Sequence, residues 1–147
     1  MKGARRWRAA LLAMALAAGG AGCDSTPHVT SPDAPAEGRY HLRTVDHKLV
    51  PVVMQSDPAG RVELISGELY VRADRFTQNL YFSESVPAGS PATMRQSLTQ
   101  GRISVNGEKV RFEVDGGGSF EGTLADLWIE YAIQGNTGPI EFIFAKE

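Results

Sequence analysis

Apolar and polar side chains alternate strictly along residues 101–114, and this pattern constrains the fold of the chain more than any other feature. Ile103 and Val105 share one face of a first extended segment, while the side chains between them are polar or charged. Asn106-Gly107 follows and favours a type I′ turn, because both central residues of that turn require positive φ. The pattern predicts an antiparallel hairpin with one buried and one solvated face.

Further extended segments with the same alternation follow one another from residue 39 onward, at roughly ten-residue spacing, and are separated by turns rich in Gly, Pro and Asp. No segment keeps a helical period over three turns. The apolar positions change parity at Ser66-Gly67, which predicts a β-bulge there. Eight to nine such strands favour an all-β, antiparallel up-and-down meander closed into a barrel, because closure removes the sheet edges. A two-sheet β-sandwich is the alternative.

Residues 1–22 have the pattern of a secretory leader. Four basic side chains lie between Lys2 and Arg8, and an apolar run of ten residues occupies positions 9–18. A helix of that length covers about 15 Å, half of the hydrocarbon core of a bilayer. The segment is therefore predicted to be a signal peptide and not a stable membrane span.

The end of this leader resembles that of bacterial lipoproteins, in which a small residue precedes a cysteine that is lipidated and becomes the new N-terminus. Ala21-Gly22-Cys23 matches these positions, and Cys23 is the only cysteine, so no intrachain disulfide can form. The resemblance implies lipidation at Cys23 and an extracytoplasmic location, with the chain lipid-anchored to the bacterial cell envelope. Ordinary cleavage after Ala17 is the alternative and would leave Cys23 as a free thiol.

The segment that follows the leader, residues 23–38, is predicted to be a flexible tether. It is rich in Pro, Ser, Thr, Asp and Ala, and Val29 is its only large apolar residue. Such a segment buries too little surface to offset its ordering entropy. Residues 39–147 form the predicted β-barrel domain. Without residues 1–22 the chain carries 11 basic and 17 acidic side chains, a net charge of −6, which disfavours nucleic acid as a partner.

Two short motifs within residues 38–147 resemble those of lipocalin-like, calycin-type barrels. Gly38-Arg39-Tyr40 stands where lipocalins carry Gly-x-Trp at the start of the first strand. Phe144-Ala145-Lys146 is similar to the aromatic-x-basic ending of these barrels, in which the cation covers the aromatic ring of the first strand. The resemblance implies a barrel that binds a small apolar ligand and catalyses nothing.

Aromatic side chains at inward positions are the candidate ligand-lining residues. An eight-stranded barrel is just wide enough for side chains or for one small ligand, so these rings either line an apolar pocket or fill a solid core. Two further aromatic residues, Trp128 and Tyr81, have outward parity and are candidates for one surface contact patch. The candidate ligand-lining residues are Tyr40, Phe76, Phe82, Phe112, Phe120, Tyr131 and Phe142.

No arrangement of residues predicts catalysis, a metal site or a cofactor. The only titratable cluster is His41, Asp46 and His47, but His41 points outward from the first strand while Asp46 and His47 lie in a turn, so spacing alone does not supply the third group that a metal or acid–base site would need. The glycines at 116–118 are followed by a predicted strand and not by a helix with a lysine, so they indicate a hairpin turn and not a phosphate loop. The signatures Gly-x-Ser-x-Gly, His-Glu-x-x-His and Cys-x-x-Cys do not occur.

Together these features predict a membrane-tethered extracytoplasmic binding protein, for a small apolar or lipid-like ligand, that is not an enzyme. The alternative is a cell-envelope protein–protein interaction or structural module with a solid core and no ligand. The predicted partners are the membrane, through lipidated Cys23, and either an apolar small molecule or an envelope protein.

Lipidation gives the first prediction. Cells that express the wild-type chain are expected to incorporate labelled palmitate into it, and Cys23→Ser is expected to abolish the label and release the protein from membranes. Each buried CH₂ of an acyl chain contributes about 0.8 kcal/mol to membrane binding. Loss of the acyl chains therefore removes most of the affinity for the membrane. Metabolic labelling and cell fractionation measure both effects. An unlabelled wild-type protein would contradict lipidation and favour cleavage after Ala17.

Overall fold

The computed structural model describes residues 36–147. The predicted signal peptide, Cys23 and most of the predicted tether lie outside these residues. Ala36 is buried and Gly38 begins the first strand, so the barrel starts within the last residues assigned to the tether. No helix in the described part is long and apolar enough to cross a membrane.

Ten strands make up the described part of the chain. Their bounds are β1 (Gly38–Val45), β2 (Lys48–Leu49), β3 (Val52–Asp57), β4 (Gly60–Arg72), β5 (Arg75–Ser85), β6 (Thr93–Asn106), β7 (Lys109–Val114), β8 (Ser119–Ala125), β9 (Trp128–Gly135) and β10 (Gly138–Lys146).

The strands form one antiparallel sheet that closes on itself. Strands β3 to β10 pair in sequence order, β10 pairs with β1, and β1 also pairs with β4. Eight strands, β1 and β4 to β10, therefore close into a ring. The predicted all-β meander and lipocalin-like barrel are confirmed, and the two-sheet sandwich is not formed.

Strands β2 and β3 complete the seam at which the ring closes. Residues 38–41 of β1 pair with residues 68–71 of β4. Beyond these pairs the two strands part, and β2 pairs with the end of β1 while β3 pairs with the beginning of β4. The short additions occupy backbone hydrogen-bonding groups that the diverging strands would otherwise leave unpaired.

The turn between β6 and β7 lies one residue later than predicted. Asn106 pairs with Lys109, so Gly107 and Glu108 are the central residues of the turn. Gly107 has a φ of 63°, whereas Glu108 is not among the residues with positive φ. The predicted type I′ turn centred on Asn106-Gly107 is therefore wrong.

The pairing of apolar side chains explains this register. The observed turn places Val105 opposite Val110 and Ile103 opposite Phe112. A turn centred one residue earlier would have placed Val105 opposite Glu108. Cross-strand apolar pairs stabilise a sheet by about 0.2–1 kcal/mol each. Pairing on the buried face therefore determines the register and outweighs the preference of Asn106-Gly107 for the centre of a turn.

The predicted β-bulge in β4 is confirmed. The register of β4 against β5 shifts between Leu64 and Ser66, so Ile65 is the additional residue. Leu64 lies before the bulge and Leu69 after it, at positions of opposite parity, and both are fully buried. The bulge lets both halves of this long strand turn their apolar side chains toward the same interior.

The contact that the calycin resemblance implies between the two ends of the barrel chain is present. Tyr40 is buried, and its hydroxyl donates a hydrogen bond of 2.8 Å to the carbonyl oxygen of Ala36. The Lys146 Nζ atom lies 5.7 Å from the centre of the Tyr40 ring, within the range of a cation–π interaction. A Cβ atom at Gly38 would lie 2.6 Å from the Lys146 Cε atom, so glycine leaves the space that the lysine side chain occupies.

Gly101 and Gly116 give a matched test of barrel packing. A Cβ atom at buried Gly101 would overlap the carbonyl oxygen of Glu113 and approach the Phe76 ring to 2.7 Å, whereas a Cβ atom at Gly116 would meet nothing within 4 Å. Gly101→Ala is therefore expected to lower the free energy of unfolding by about 1–3 kcal/mol or more. Gly116→Ala should change it by less than about 0.5 kcal/mol. Urea unfolding followed by circular dichroism measures both, and equal losses would contradict the close approach of β6 to β7.

Candidate functional site

An aromatic cluster occupies the interior of the barrel, with Phe112 at its centre. The Phe76 ring packs edge-on against Phe112 with ring centres 5.0 Å apart, and the Phe120 ring stacks on Phe112 at 4.7 Å. The Tyr131 ring lies 5.4 Å from Phe112 and 4.8 Å from Phe120. Aromatic pairs at such distances each contribute about 0.5–1.5 kcal/mol beyond their burial, so the cluster holds β5, β7, β8 and β9 together.

Tyr131 extends the cluster to β10 and also provides its polar contact. Its ring stacks at 5.6 Å from Phe142 and 5.8 Å from Phe144. Its hydroxyl donates a hydrogen bond of 2.6 Å to the Gln78 Oε1 atom, and both side chains are buried. Burial raises the pKa of the Tyr131 hydroxyl, so this group remains protonated and keeps its role as a donor.

Sequence reasoning missed Gln78. Its parity on β5 is the same as that of Phe76 and Leu80, which was the available signal that its amide lies inside the barrel. Among the hydrogen bonds between described residues, none uses its Nε2 atom, since the contact with Tyr131 uses Oε1. Its Oε1 atom thus serves as the acceptor for the buried Tyr131 hydroxyl.

The structure brings five of the seven candidate lining residues into one cluster. Tyr40 lies apart, beneath Lys146. Phe82 is half-buried on β5 and makes no aromatic pair within the described part of the chain. The clustered rings pack against one another across the interior of the barrel. The five clustered residues are Phe76, Phe112, Phe120, Tyr131 and Phe142.

The wall opens between β8 and β9. These strands pair only where residues 122–125 face residues 128–131. Beyond that, residues 119–121 continue to pair with β7, and residues 132–135 continue to pair with β10, so the two strands diverge. A cleft of about 500 Å³ lies between them, which we call the β8–β9 cleft. Its lining residues include Val114, Phe120 and Ile133 from the inner face and Ser119, Gln134 and Pro139 from the rim.

Phe120 joins this cleft to the aromatic cluster. It is only partly buried, unlike Phe112, on which it stacks. The β7–β8 turn forms one rim, and within it Gly117 and Gly118 have φ values of 99° and 92°. A Cβ atom at either glycine would meet nothing within 4 Å, so this rim is loosely packed. The predicted hairpin turn at these glycines is confirmed.

The surface beside the β8–β9 cleft is acidic. An open groove of about 370 Å³ on the outer face of β8 to β10 shares Glu121 with the cleft. The Arg111 Nη1 atom lies 3.3 Å from the Glu121 carboxylate, and the His47 Nε2 atom lies 3.3 Å from that of Glu141. In the part of the chain that the structure describes, neither depression is lined by a lysine or arginine. The carboxylates that line the groove are those of Asp46, Glu121, Glu130 and Glu141.

The structure does not bring His41 and His47 together. The His41 Nε2 atom lies 3.4 Å from the Glu147 carboxylate near the beginning of β1, whereas His47 follows the end of that strand and contacts Glu141. Asp46 instead accepts a hydrogen bond of 2.9 Å from the backbone N–H of Glu141. Within residues 36–147, no group of three or more His, Cys, Asp or Glu side chains is arranged to hold a metal ion.

Trp128 and Tyr81 do not form the single patch that was predicted. Trp128 is 51% exposed on β9, beside Leu127 at 66%, whereas Tyr81 is half-buried on β5. Three strands separate β9 from β5 around the ring in either direction. The prediction is wrong because outward parity specifies the face of a strand and not its place around a closed sheet.

Compared with protein-family models, curated proteins and solved structures, the chain matches none. The assignment of a lipocalin-like barrel therefore depends on the strand order and its closure.

The buried hydrogen bond between Tyr131 and Gln78 leads to a stability prediction. Tyr131→Phe leaves the Gln78 Oε1 atom without its partner and is expected to lower the free energy of unfolding by about 1–3 kcal/mol. Tyr81→Phe is the matched control on the outer face and should change it by less than about 0.5 kcal/mol. Denaturant unfolding of the two variants measures the difference. An unchanged stability for Tyr131→Phe would argue against a buried polar contact.

Proposed function

We propose that this chain is a membrane-tethered extracytoplasmic binding protein that takes a small apolar or lipid-like ligand at the β8–β9 cleft. The observation that carries the proposal is the position of Phe120. This ring belongs to the buried aromatic cluster and also lines the opening in the wall. It therefore offers an apolar contact that a ligand reaches without unfolding the core.

The size of the cleft suits one small ligand, which would lie partly exposed because the cleft is an open depression with both polar and apolar lining. Pockets that hold small molecules measure about 300–1,000 Å³ and are mostly apolar with a few polar groups, and the cleft measures about 500 Å³. An alkyl chain or ring that enters it covers the inner side chains Val114, Phe120 and Ile133. Burial of apolar surface contributes about 25 cal/mol per Å², and this term drives binding.

The charge around the opening determines which polar head groups a ligand can carry. Four carboxylates line the adjoining groove, and among the described residues only one of them, Glu121, lies within ion-pair distance of an arginine, Arg111. Like charges repel more strongly next to a low-dielectric wall, so an anionic head group is disfavoured. The ligand is accordingly a neutral or cationic amphiphile.

The leader supports the cellular setting of the proposal. A signal peptide over residues 1–22 and lipidation at Cys23 would hold the barrel at a bacterial membrane surface, outside the cytoplasm. Residues 23–35 would leave a span of chain between the acylated cysteine and the buried Ala36. Amphiphiles that partition into or leave that membrane would then be the nearest source of ligand.

A second candidate function is a protein–protein interaction module of the cell envelope, which the exposed pair Leu127 and Trp128 favours. These neighbouring side chains are 66% and 51% exposed at the β8–β9 turn. Tryptophan is enriched among the residues that dominate binding energy at interfaces. In this alternative the aromatic cluster is only a core, and the outer surface does the binding.

Fluorescence of N-phenyl-1-naphthylamine, a neutral apolar probe, tests the first function. The full chain carrying Cys23→Ser and purified without detergent is expected to enhance the emission of the probe. In the same background Phe120→Ala should weaken probe binding about tenfold or more, because a buried aromatic side chain contributes about 1.5–3 kcal/mol. Phe82→Ala is the control, since this half-buried phenylalanine is not among the residues that line the cleft.

Competition completes this test. Monoolein is expected to displace the probe and oleate is not, because the rim is acidic. Absence of probe binding by wild type, or equal weakening by both phenylalanine variants, would contradict a ligand at the β8–β9 cleft. If the probe does not bind and envelope proteins captured by the wild type are lost with Trp128→Ala, the second function is favoured.

A further inference from the structure

Within residues 36–147, no strand covers one edge of the first half of β6. β6 has 14 residues and β7 has six. β5 covers one edge of β6 over residues 93–102, but β7 covers the other edge only from Gly101 onward. On that second edge, residue Gln100 is held by one hydrogen bond of 3.0 Å from the backbone N–H of Asp115 to its carbonyl oxygen. Residues 93–98 are all exposed.

The register of the sheet identifies the backbone groups that this edge presents. The carbonyl of Gln100 points toward the β7 side, and alternate residues of a strand point their N–H and C=O groups the same way. Met94, Gln96 and Leu98 therefore direct their backbone donors and acceptors to the open edge. Such an edge is a template for another strand.

Apolar side chains accompany these backbone groups. Met94 and Leu98 are 65% and 57% exposed. Tyr81 of β5 lies directly across from Gln96 and is the diagonal neighbour of both apolar residues, at a distance that aromatic side chains bridge. Tyr81, Met94 and Leu98 form a small apolar stripe on the outer face beside the open edge.

We propose that a second copy of this chain occupies this edge, with the two β6 strands antiparallel and Gln96 on the two-fold axis. The segment Thr93–Thr99 reads TMRQSLT, and its pattern of apolar and polar positions is symmetrical about the central glutamine. In this register each exposed apolar side chain meets an apolar one, and no like charges are opposed. The opposed pairs are Met94 with Leu98, Arg95 with Ser97, Thr93 with Thr99, and Gln96 with itself.

Backbone geometry favours the same register. Met94, Gln96 and Leu98 all sit at hydrogen-bonded positions when the axis passes through Gln96, which gives about six interstrand hydrogen bonds. If the axis moves to Met94, Leu98 lies opposite Ser90 in the β5–β6 loop. If it moves to Leu98, Met94 lies opposite Arg102, whose edge β7 already covers.

Charge on the inner face does not oppose the assembly. The Arg95 Nε atom lies 2.7 Å from the Glu84 carboxylate of the same copy, so the two copies do not present bare cations to each other. The contact is isologous, as in most two-fold homodimers, and joins two barrels through one continuous sheet. The proposed contact uses residues 93–99 of β6, none of which lines the β8–β9 cleft, so the inference does not depend on the proposed function.

Cysteine cross-linking tests the register in the full chain carrying Cys23→Ser, in which the introduced thiol is the only one. Gln96→Cys is expected to form an interchain disulfide under mild oxidation. Residues paired at a hydrogen-bonded site have Cα atoms about 5.5 Å apart, within disulfide range. Met94→Cys is the matched control, because the two copies of that residue lie four positions apart along the strands, about 13 Å. Non-reducing gels measure the fraction of linked dimer.

A charge exchange tests the same pairing without disulfides. The double variant M94K/L98K opposes lysines and is expected to be monomeric by sedimentation velocity. M94K/L98E opposes lysine with glutamate and is expected to remain dimeric, with a dissociation constant at least tenfold lower than that of the double-lysine variant. Both variants place polar residues at exposed positions of a strand, so both are expected to fold as the wild type does.

Selective linking through Gln96→Cys together with the dimeric M94K/L98E variant would support the proposal. Equal linking by both cysteine variants, no linking, or linking to a different polypeptide of the envelope would overturn it, as would equal dissociation of both charge variants.

Discussion

The pairing of β1 with β4 is the interaction on which the rest of the structure depends. A meander whose strands each have one apolar side forms a sheet with two open edges and one apolar face. Closure into a ring removes both edges and buries the apolar face at the same time. On the outside of the seam, the Arg39 Nη2 atom lies 2.6 Å from the Glu68 carboxylate, and its guanidinium lies 5.3 Å from the centre of the Tyr70 ring. The hydrogen bond from Arg39 lowers the pKa of Glu68. On the inside, Tyr40 is buried beneath Lys146.

Once the ring closes, the functional features lie where neighbouring strands differ in length or direction. β8 and β9 separate because each continues along a different neighbour, and the gap exposes Phe120 from an otherwise buried cluster. β6 extends eight residues before its first pair with β7 and leaves an open edge. Both features are departures from an ideal barrel, in which every strand would be covered on both sides along its length.

Local pattern was sufficient to predict most of the fold and only part of the candidate site. Period-two alternation identified the strands and the inward side chains, because side-chain direction follows from backbone geometry alone. The bulge near Ser66 was visible for the same reason, since it changes the parity of the apolar residues. The turn at Gly107 was misplaced because apolar pairing between distant strands outweighed a local turn preference.

Side-chain alternation could not predict which residues become neighbours around the closed sheet. Trp128 and Tyr81 share outward parity, yet they lie on strands half a ring apart. The parity of Gln78 on its strand predicts that its side chain points inward. Its hydrogen bond with Tyr131, 53 residues away along the chain, depends on packing across the barrel.

The amino-acid sequence by itself determined the strand pattern, the apolar interior and the matching ends that place Lys146 over Tyr40. Only the tertiary structure decided that the aromatic rings form one packed cluster, that the wall opens between β8 and β9, and that β6 keeps a free edge. The physical reason is that alternation is a property of one strand, whereas a gap or an edge depends on the lengths and registers of two.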